Sequence, residues 1–300
     1  MAFRHTVVVQ DEAVVAGTVV SYDLPVAPLS LLYLTLRFLE VTALPTWANI
    51  VAMITRLEVL YKGQAVHSYS LADLAASQFL CFGELPVTCN FAHVDNAVMS
   101  MGFIVPFGRK HYGVKEAFPR TLRGELNLQL TYAAAIADPD NLILQVEAVE
   151  LPDATPDSFL KMTTLTHTPA AVGQTDISLP IGNKLSDLVL FGTTVPSGAT
   201  ATTTIQDVQI RKNNAEEIYT KSNFETLMAM GCLRCSEPQL RGVFGIIEKY
   251  LRVPFDVYHD DTNLFDTAGA NSLDLRITAG AANAIRVVPL EVVAVGGRGA

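Results

Sequence analysis

The order of signals that begins at residue 54 returns at residue 205. The first passage reads Ile54-Thr55-Arg56-Leu57-Glu58-Val59-Leu60-Tyr61, then a Lys62-Gly63 turn, Val66, Tyr69 and the stretch Leu71-Ala72-Asp73-Leu74-Ala75. The second reads Ile205-Gln206-Asp207-Val208-Gln209-Ile210-Arg211-Lys212, then Asn213-Asn214, Ile218, Tyr219 and Phe224-Glu225-Thr226-Leu227-Met228. Apolar residues at alternate positions predict a strand, and each strand is followed by a turn, a short strand and a helical stretch. Other matches keep the same order. Leu24-Pro25-Val26 answers Leu179-Pro180-Ile181, and Val105-Pro106-Phe107 answers Val253-Pro254-Phe255. Glu125 to Leu130 answers Ser272 to Ile277, and Glu147 in the last strand of the first half is matched to Glu291 in the second. The separation falls from 155 residues at Leu24/Leu179 to 144 at Glu147/Glu291. Small changes in loop length leave a drift of that kind. The chain is therefore read as two copies of one fold.

Three hundred residues suit two domains, each long enough to bury a core. The expected division is 1–151, a linker at 152–157 and 158–300. The linker Pro152-Asp153-Ala154-Thr155-Pro156-Asp157 has two prolines, which a central strand does not accommodate. Strand signals dominate both halves: residues 6–9, 31–41, 56–61, 124–132 and 142–149, then 163–166, 187–191, 203–211, 273–278 and 285–295. In Glu125-Leu126-Asn127-Leu128-Gln129-Leu130 the leucines face one way and the polar residues the other, as in a sheet with one face on a core. Helical periodicity is confined to residues 70–81 and 223–231, which are equivalent places in the repeat. About eight strands and one helix per half point to a sandwich or barrel. Long excursions at 82–101 and 232–249 favour a jelly roll over an up-and-down barrel. The expected class is all-β, with two tandem eight-stranded jelly-roll sandwiches and short helices in loops.

Half the residues are hydrophobic, yet no run approaches the roughly 18 apolar residues of a membrane helix. Such a surplus fits either a large β core or surfaces buried against other subunits. The net charge of −9 is shared by the two halves, with 9 basic and 14 acidic residues in 1–151 and 12 and 16 in 152–300. No Lys/Arg run is present, so sequence-specific nucleic-acid binding is not expected. No basic segment followed by an apolar one marks a secretion signal at the start.

The residue types that carry chemistry do not assemble into a motif. His5, His67, His93, His111, His167 and His259 show no metal-ligating spacing. No Gly-x-Ser-x-Gly elbow or Walker loop is present. Cys232 and Cys235 form a Cys-x-x-Cys without a partner pair; Cys81 and Cys89 are too far apart for one. They are read as structural or free thiols, with a metal site as the open alternative. His259-Asp260-Asp261-Thr262-Asn263 is read as a capped, solvated turn, with a Ca²⁺ loop as its alternative. Asp11-Glu12 and Glu216-Glu217 are neighbours on strands and so point to opposite faces. The aromatic residues, including the single Trp47, are scattered and suggest no stacking platform. No catalytic, cofactor-binding or metal-ligating residue is assigned, and no cofactor is expected.

Two fused jelly rolls of similar size, with these matched strands over nearly the whole chain, resemble the double jelly-roll major capsid proteins of tailless icosahedral viruses. That group includes the membrane-containing phages. The resemblance implies a pseudo-hexameric homotrimer with six upright lobes. It implies trimers that tile a shell over an internal lipid membrane, alongside minor capsid and vertex proteins. It implies a virion protein assembled in the host cytoplasm, with no enzymatic activity. A chain of this size implies no tall surface towers. The competing reading is a tandem β-sandwich that binds carbohydrate or acts as an adhesin. A two-domain cupin-like enzyme comes third, because the His-x-His it needs is missing.

Overall fold

The computed structural model describes residues 3–40, 46–84, 86–89, 97–136, 139–197, 199–216, 219–233 and 247–296. The chain divides into two compact units. One comprises Met1–Phe79, Glu84–Thr163 and Val293–Ala300, and the other Leu80–Gly83 and Thr164–Val292.

The first unit runs β1 (Arg4–Ala13), β2 (Val19–Asp23), β3 (Leu29–Glu40), α1 (Trp47–Ala52), β4 (Ile54–Tyr61), β5 (Gln64–Tyr69), α2 (Leu71–Phe82), β6 (Val87–Cys89), β7 (Val98–Pro106), β8 (Leu126–Tyr132), β9 (Pro139–Glu150) and β10 (Ser158–Thr163). One sheet has the order β1-β9-β3-β7-β6 and the other β10-β5-β4-β8-β2. Apart from the hairpins β4–β5 and β6–β7, consecutive strands lie in opposite sheets, which is the jelly-roll order. The sheets meet on alternate side chains. In β8, Leu126, Leu128, Leu130 and Tyr132 are buried, while Asn127, Gln129 and Thr131 are half-buried. The helix α2 starts where the Ser70 hydroxyl accepts the Asp73 N–H at 3.1 Å, with Asp73 itself in the favourable first turn.

The second unit runs β11 (Leu165–His167), β12 (Gly173–Ser178), β13 (Lys184–Gly192), β14 (Ile205–Lys212), β15 (Ala215–Glu216), β16 (Ser222–Asn223), α3 (Phe224–Gly231), β17 (Tyr250–Pro254), β18 (Phe265–Asp266), β19 (Leu273–Ala279) and β20 (Ile285–Ala294). Its sheets are β12-β19-β14-β15, with β16 also on β14, and β17-β13-β20-β11, with β18 also on β13. This is the order of the first unit again. The helix α3 takes the place of α2, and its cap is Asn223, whose side chain accepts the Thr226 N–H at 3.0 Å.

The repeat extends to register. Val59 lies opposite Leu128 between β4 and β8, and Ile210 lies opposite Leu275 between β14 and β19. The irregularities repeat as well. A bulge at Thr55 falls between Ile54 and Arg56, and its counterpart at Gln206 falls between Ile205 and Asp207. A second pair places Ser30 between Leu29 and Leu31, and Ser186 between Leu185 and Asp187. The carbonyls of Ser30 and Ser186 each accept the N–H of a phenylalanine, Phe107 and Phe255, at 2.9 Å. The turns after β4 and β14 also agree: Lys62-Gly63 and Asn213-Asn214 all have positive φ, as a tight hairpin of this hand requires.

Some details differ from expectation. Leu29 faces Glu150 across the first bulge and Leu185 faces Glu291 across the second. The counterpart of Glu291 is therefore Glu150, not Glu147. Both Glu150 and Glu291 are buried, whereas Glu147 is part-exposed. The six-residue helix α1 has no counterpart in the periodicity of the sequence; Thr46 caps it by accepting the Asn49 N–H at 3.3 Å. β10 lies parallel to β5, with Met162 opposite His67, and buries Leu160 and Met162. The division between units accordingly falls after Thr163, beyond the proline-bearing segment 152–157. Among the described residues no helix is long and apolar enough to cross a membrane.

Candidate functional site

The most concentrated buried chemistry lies in the second unit, around one residue of β13. Asp187 interrupts an otherwise largely apolar strand and is fully buried. Its Oδ1 accepts from Arg252 Nε at 2.6 Å and lies 2.6 Å from Arg252 Nη2. Its Oδ2 accepts from Ser186 Oγ at 2.6 Å and lies 3.2 Å from His259 Nε2. Arg252 comes from β17, and His259 from the turn that follows it. Nearby, the Tyr219 hydroxyl donates to the Pro254 carbonyl at 2.7 Å. Burial, with the charge of Asp187 nearby, pushes Tyr219 up to about 12.

This arrangement binds strands together and is not set up for turnover. Hydrogen bonds from Arg252 Nε and Ser186 Oγ occupy one oxygen each, and His259 and the rest of the guanidinium crowd the remainder, so the carboxylate is held in place and not presented to a substrate. Serine, histidine and aspartate meet here, but Ser186 donates to the aspartate and not to the histidine. A nucleophilic serine needs the opposite wiring.

The first unit has a carboxylate of its own. Glu150 accepts from Arg4 Nε at 3.0 Å and Nη2 at 2.6 Å, and also from the Thr6 hydroxyl. Its counterpart Glu291 accepts from Asn183 Nδ2 at 2.7 Å. Each closing strand is thus tied through its buried glutamate to another segment of the same unit.

The remaining candidates separate. His67 is buried between Tyr69 and Phe107, and burial pushes it down to about 3. His111 Nδ1 lies 3.3 Å from Glu84, and His167 Nε2 lies 2.7 Å from the Thr175 hydroxyl. His93 lies outside the described residues. Among the described residues no three His, Cys, Asp or Glu side chains converge as a metal site would require. Asp260 Oδ1 accepts the Thr262 N–H at 3.0 Å, which is the capped turn expected of residues 259–263, although His259 itself turns inward. Cys81 is buried and Cys232 half-buried, and neither is in a disulfide; Cys235 lies outside the described residues. Burial raises the Cys232 thiol above its ordinary range.

Two features escaped the sequence. Phe3, His5, Tyr33 and Tyr112, which are far apart in the chain, gather on the outer face of the sheet containing β1 and β3. His5 stacks on Tyr33 at 5.9 Å, and Phe3 meets Tyr112 edge-on at 5.1 Å. The aromatic residues are therefore not all isolated. A cavity of about 680 Å³ also opens at the ends of β3 and β9, lined by Phe38, Leu39, Leu142 and Ile143 and bordered by Arg37, which pairs with Asp11 at 2.9 Å.

No protein-family model matches the chain, and no curated protein matches it. Solved structures do. The major capsid protein P2 of bacteriophage PM2 aligns over 100% of both chains at 12% identity, with a TM-score of 0.69. The STIV (Sulfolobus Turreted Icosahedral Virus) major capsid protein aligns over 98% of this chain and 97% of its own at 13% identity, with a TM-score of 0.71. The PBCV-1 virus capsid structure aligns over 97% and 93% at 10% identity, with a TM-score of 0.61. End-to-end agreement at such low identity means that the fold is shared where side chains are not: the chain has the double jelly-roll fold found in these capsid proteins.

Proposed function

We propose that this chain is the major capsid protein of an icosahedral virus. One observation carries the reading. Two jelly rolls with a common register and common bulges occupy the whole chain, and capsid proteins match it from end to end. The domains are the two lobes of one building block, joined near 152–163. Three copies would present six similar lobes, which suits a three-fold oligomer to a hexagonal lattice. Joining two lobes in one chain also raises the local concentration of each beside the other. Neighbouring trimers, minor and vertex proteins and an internal membrane are the remaining partners in this proposal, and the virion is its location.

Light scattering on the purified protein tests the reading. The expected mass is three times the 32.5 kDa of the chain, with flat hexagonal arrays by electron microscopy at high concentration. A chain that stays monomeric throughout a micromolar dilution series rejects it.

A further inference from the structure

The loop that leads into β8 and its counterpart leading into β19 carry opposite charge. Residues 107–125 hold five lysines and arginines against two carboxylates. Residues 255–272 hold four aspartates and no lysine or arginine. Phe107 and Phe255 open the two loops from equivalent positions, each bonded to its bulged serine.

In the first lobe both carboxylates of the loop are occupied. Glu116 pairs with Arg109 at 2.7 Å and Glu125 with Lys62 at 3.3 Å. Arg120 and Arg123 stand exposed beyond them. Arg120 donates to the Pro152 carbonyl at 3.2 Å and not to a carboxylate. Between the two arginines, Leu122 is 71% exposed. In the second lobe Asp260 and Asp266 are exposed and accept from the loop's own N–H groups, those of Thr262 at 3.0 Å and Ala268 at 2.8 Å. The Thr262 N–H holds the Asp260 carboxyl below the ordinary carboxylate range, so it stays charged. Lys212 donates to the main-chain carbonyl of Asp266 at 2.8 Å, and Lys184 lies opposite Asp266 between β13 and β18. Tyr258 is 73% exposed at this loop. Each loop therefore presents one large apolar side chain amid an excess of one charge, positive in the first lobe and negative in the second.

We propose that this loop of the first lobe docks on the corresponding loop of the second lobe in another copy of the chain. Arg120 and Arg123 would face Asp260 and Asp266 around Leu122 and Tyr258. The inference rests on the capsid reading and names a contact which that reading leaves open. An apolar centre with a complementary charged rim is the usual anatomy of a specific interface. Because the contact joins two different surfaces it is head-to-tail, and such contacts close into rings when the rotation permits. Like lobes would repel, so the pattern also dictates that the two kinds alternate around the ring.

Charge swapping tests it. One variant carries Arg120→Glu with Arg123→Glu, a second carries Asp260→Lys with Asp266→Lys, and a third carries all four changes. Association is followed by sedimentation over a dilution series. Each reversed pair should weaken association about tenfold or more, and the four-fold swap should recover most of that loss. Asp260→Asn with Asp266→Asn keeps the acceptors for the loop's N–H groups and removes the charge, and it should also weaken association. If the Asn pair behaves like the parent, the Lys result reflects loop distortion and the proposal falls. Reversals that are not rescued by the four-fold swap overturn the pairing of these two loops. An associating parent whose reversals change nothing overturns the contact and leaves the capsid reading standing. A monomeric parent overturns both.

Discussion

Leu31 and Asp187 hold the same station in their two lobes. Leu31 lies opposite Pro106 on one side and Val149 on the other; Asp187 lies opposite Pro254 and Leu290. Both side chains are fully buried. One lobe thus fills with leucine the place that the other fills with a carboxylate and its arginine. A buried ion pair seldom outdoes a well-packed apolar substitute, but breaking one strands a charge. Asp187→Leu alone should therefore cost about 3–5 kcal/mol. Adding Arg252→Met should recover most of it. Denaturant titration of the two variants measures this, and a single variant as stable as the parent would show that Arg252 reaches another partner.

Leu128 sits at the centre of the first core, and Asn127 beside it points to the other face. Leu128→Asp buries a carboxylate with no partner and should cost at least about 3 kcal/mol. Leu275→Asp should behave alike in the second lobe, because Leu275 occupies the same register. Asn127→Asp loses only the bond to the Gly124 carbonyl and should cost under about 1 kcal/mol. Yield of soluble protein and thermal melting distinguish them. Equal stability of the Leu128 and Asn127 variants would mean that the strand faces the wrong way.

His67 predicts a specific acid weakness. Folding keeps it neutral with its pKa pushed down to about 3, whereas the unfolded chain takes up a proton near pH 6.5. The contribution to stability is whole above about pH 6.5 and is lost as the pH falls towards about 3, by up to about 1.4 kcal/mol per pH unit. His67→Leu should flatten the stability profile over that window relative to the parent. Parallel profiles for the two proteins would place the acid sensitivity elsewhere.

Gly108 lies against the backbone of its own loop. A Cβ there would stand 2.1 Å from the Glu116 carbonyl oxygen, so the chain itself would have to move. Gly108→Ala should cost about 1–3 kcal/mol and loosen the Arg109–Glu116 pair. Gly63→Ala is the control: its Cβ would meet nothing within 4 Å, and the penalty is limited to its positive φ. Similar losses in the two variants would count against close packing at Gly108.

The central strands were legible because each must bury one face, and burial enforces alternation. β4, β8, β14 and β19 show it plainly. β2 and β12 lie at sheet edges, where most of their side chains meet solvent, and Gln174-Thr175-Asp176 gives no apolar rhythm. The six residues of α1 are too few to display a helical period. Sequence order pairs Glu147 with Glu291, and only the bulges at Ser30 and Ser186 reveal that Glu150 is the counterpart. The cluster around Asp187 draws His259 from 72 residues away, which no local pattern encodes. One sign was available: a single aspartate in the run Leu185 to Phe191, on a strand whose neighbours are almost all apolar. A charge in such a place demands a partner.

Ser30 and Ser186, like Thr55 and Gln206, are extra residues in their strands. Removing one would close the ladder over it and leave the pairing beyond unchanged, because Leu29/Glu150 and Leu31/Val149, like Leu185/Glu291 and Asp187/Leu290, are already consecutive rungs. Loops tolerate gain or loss of single residues, and the drifting separation between the halves shows that they have undergone it. Within a strand the bulged position alone can be lost in that way; a lone deletion at a paired position turns the side chains beyond it to the other face. Side-chain identity can wear away almost completely while these bulges persist. What the serine bulges supply is a carbonyl turned out of the ladder, which holds Phe107 in one lobe and Phe255 in the other.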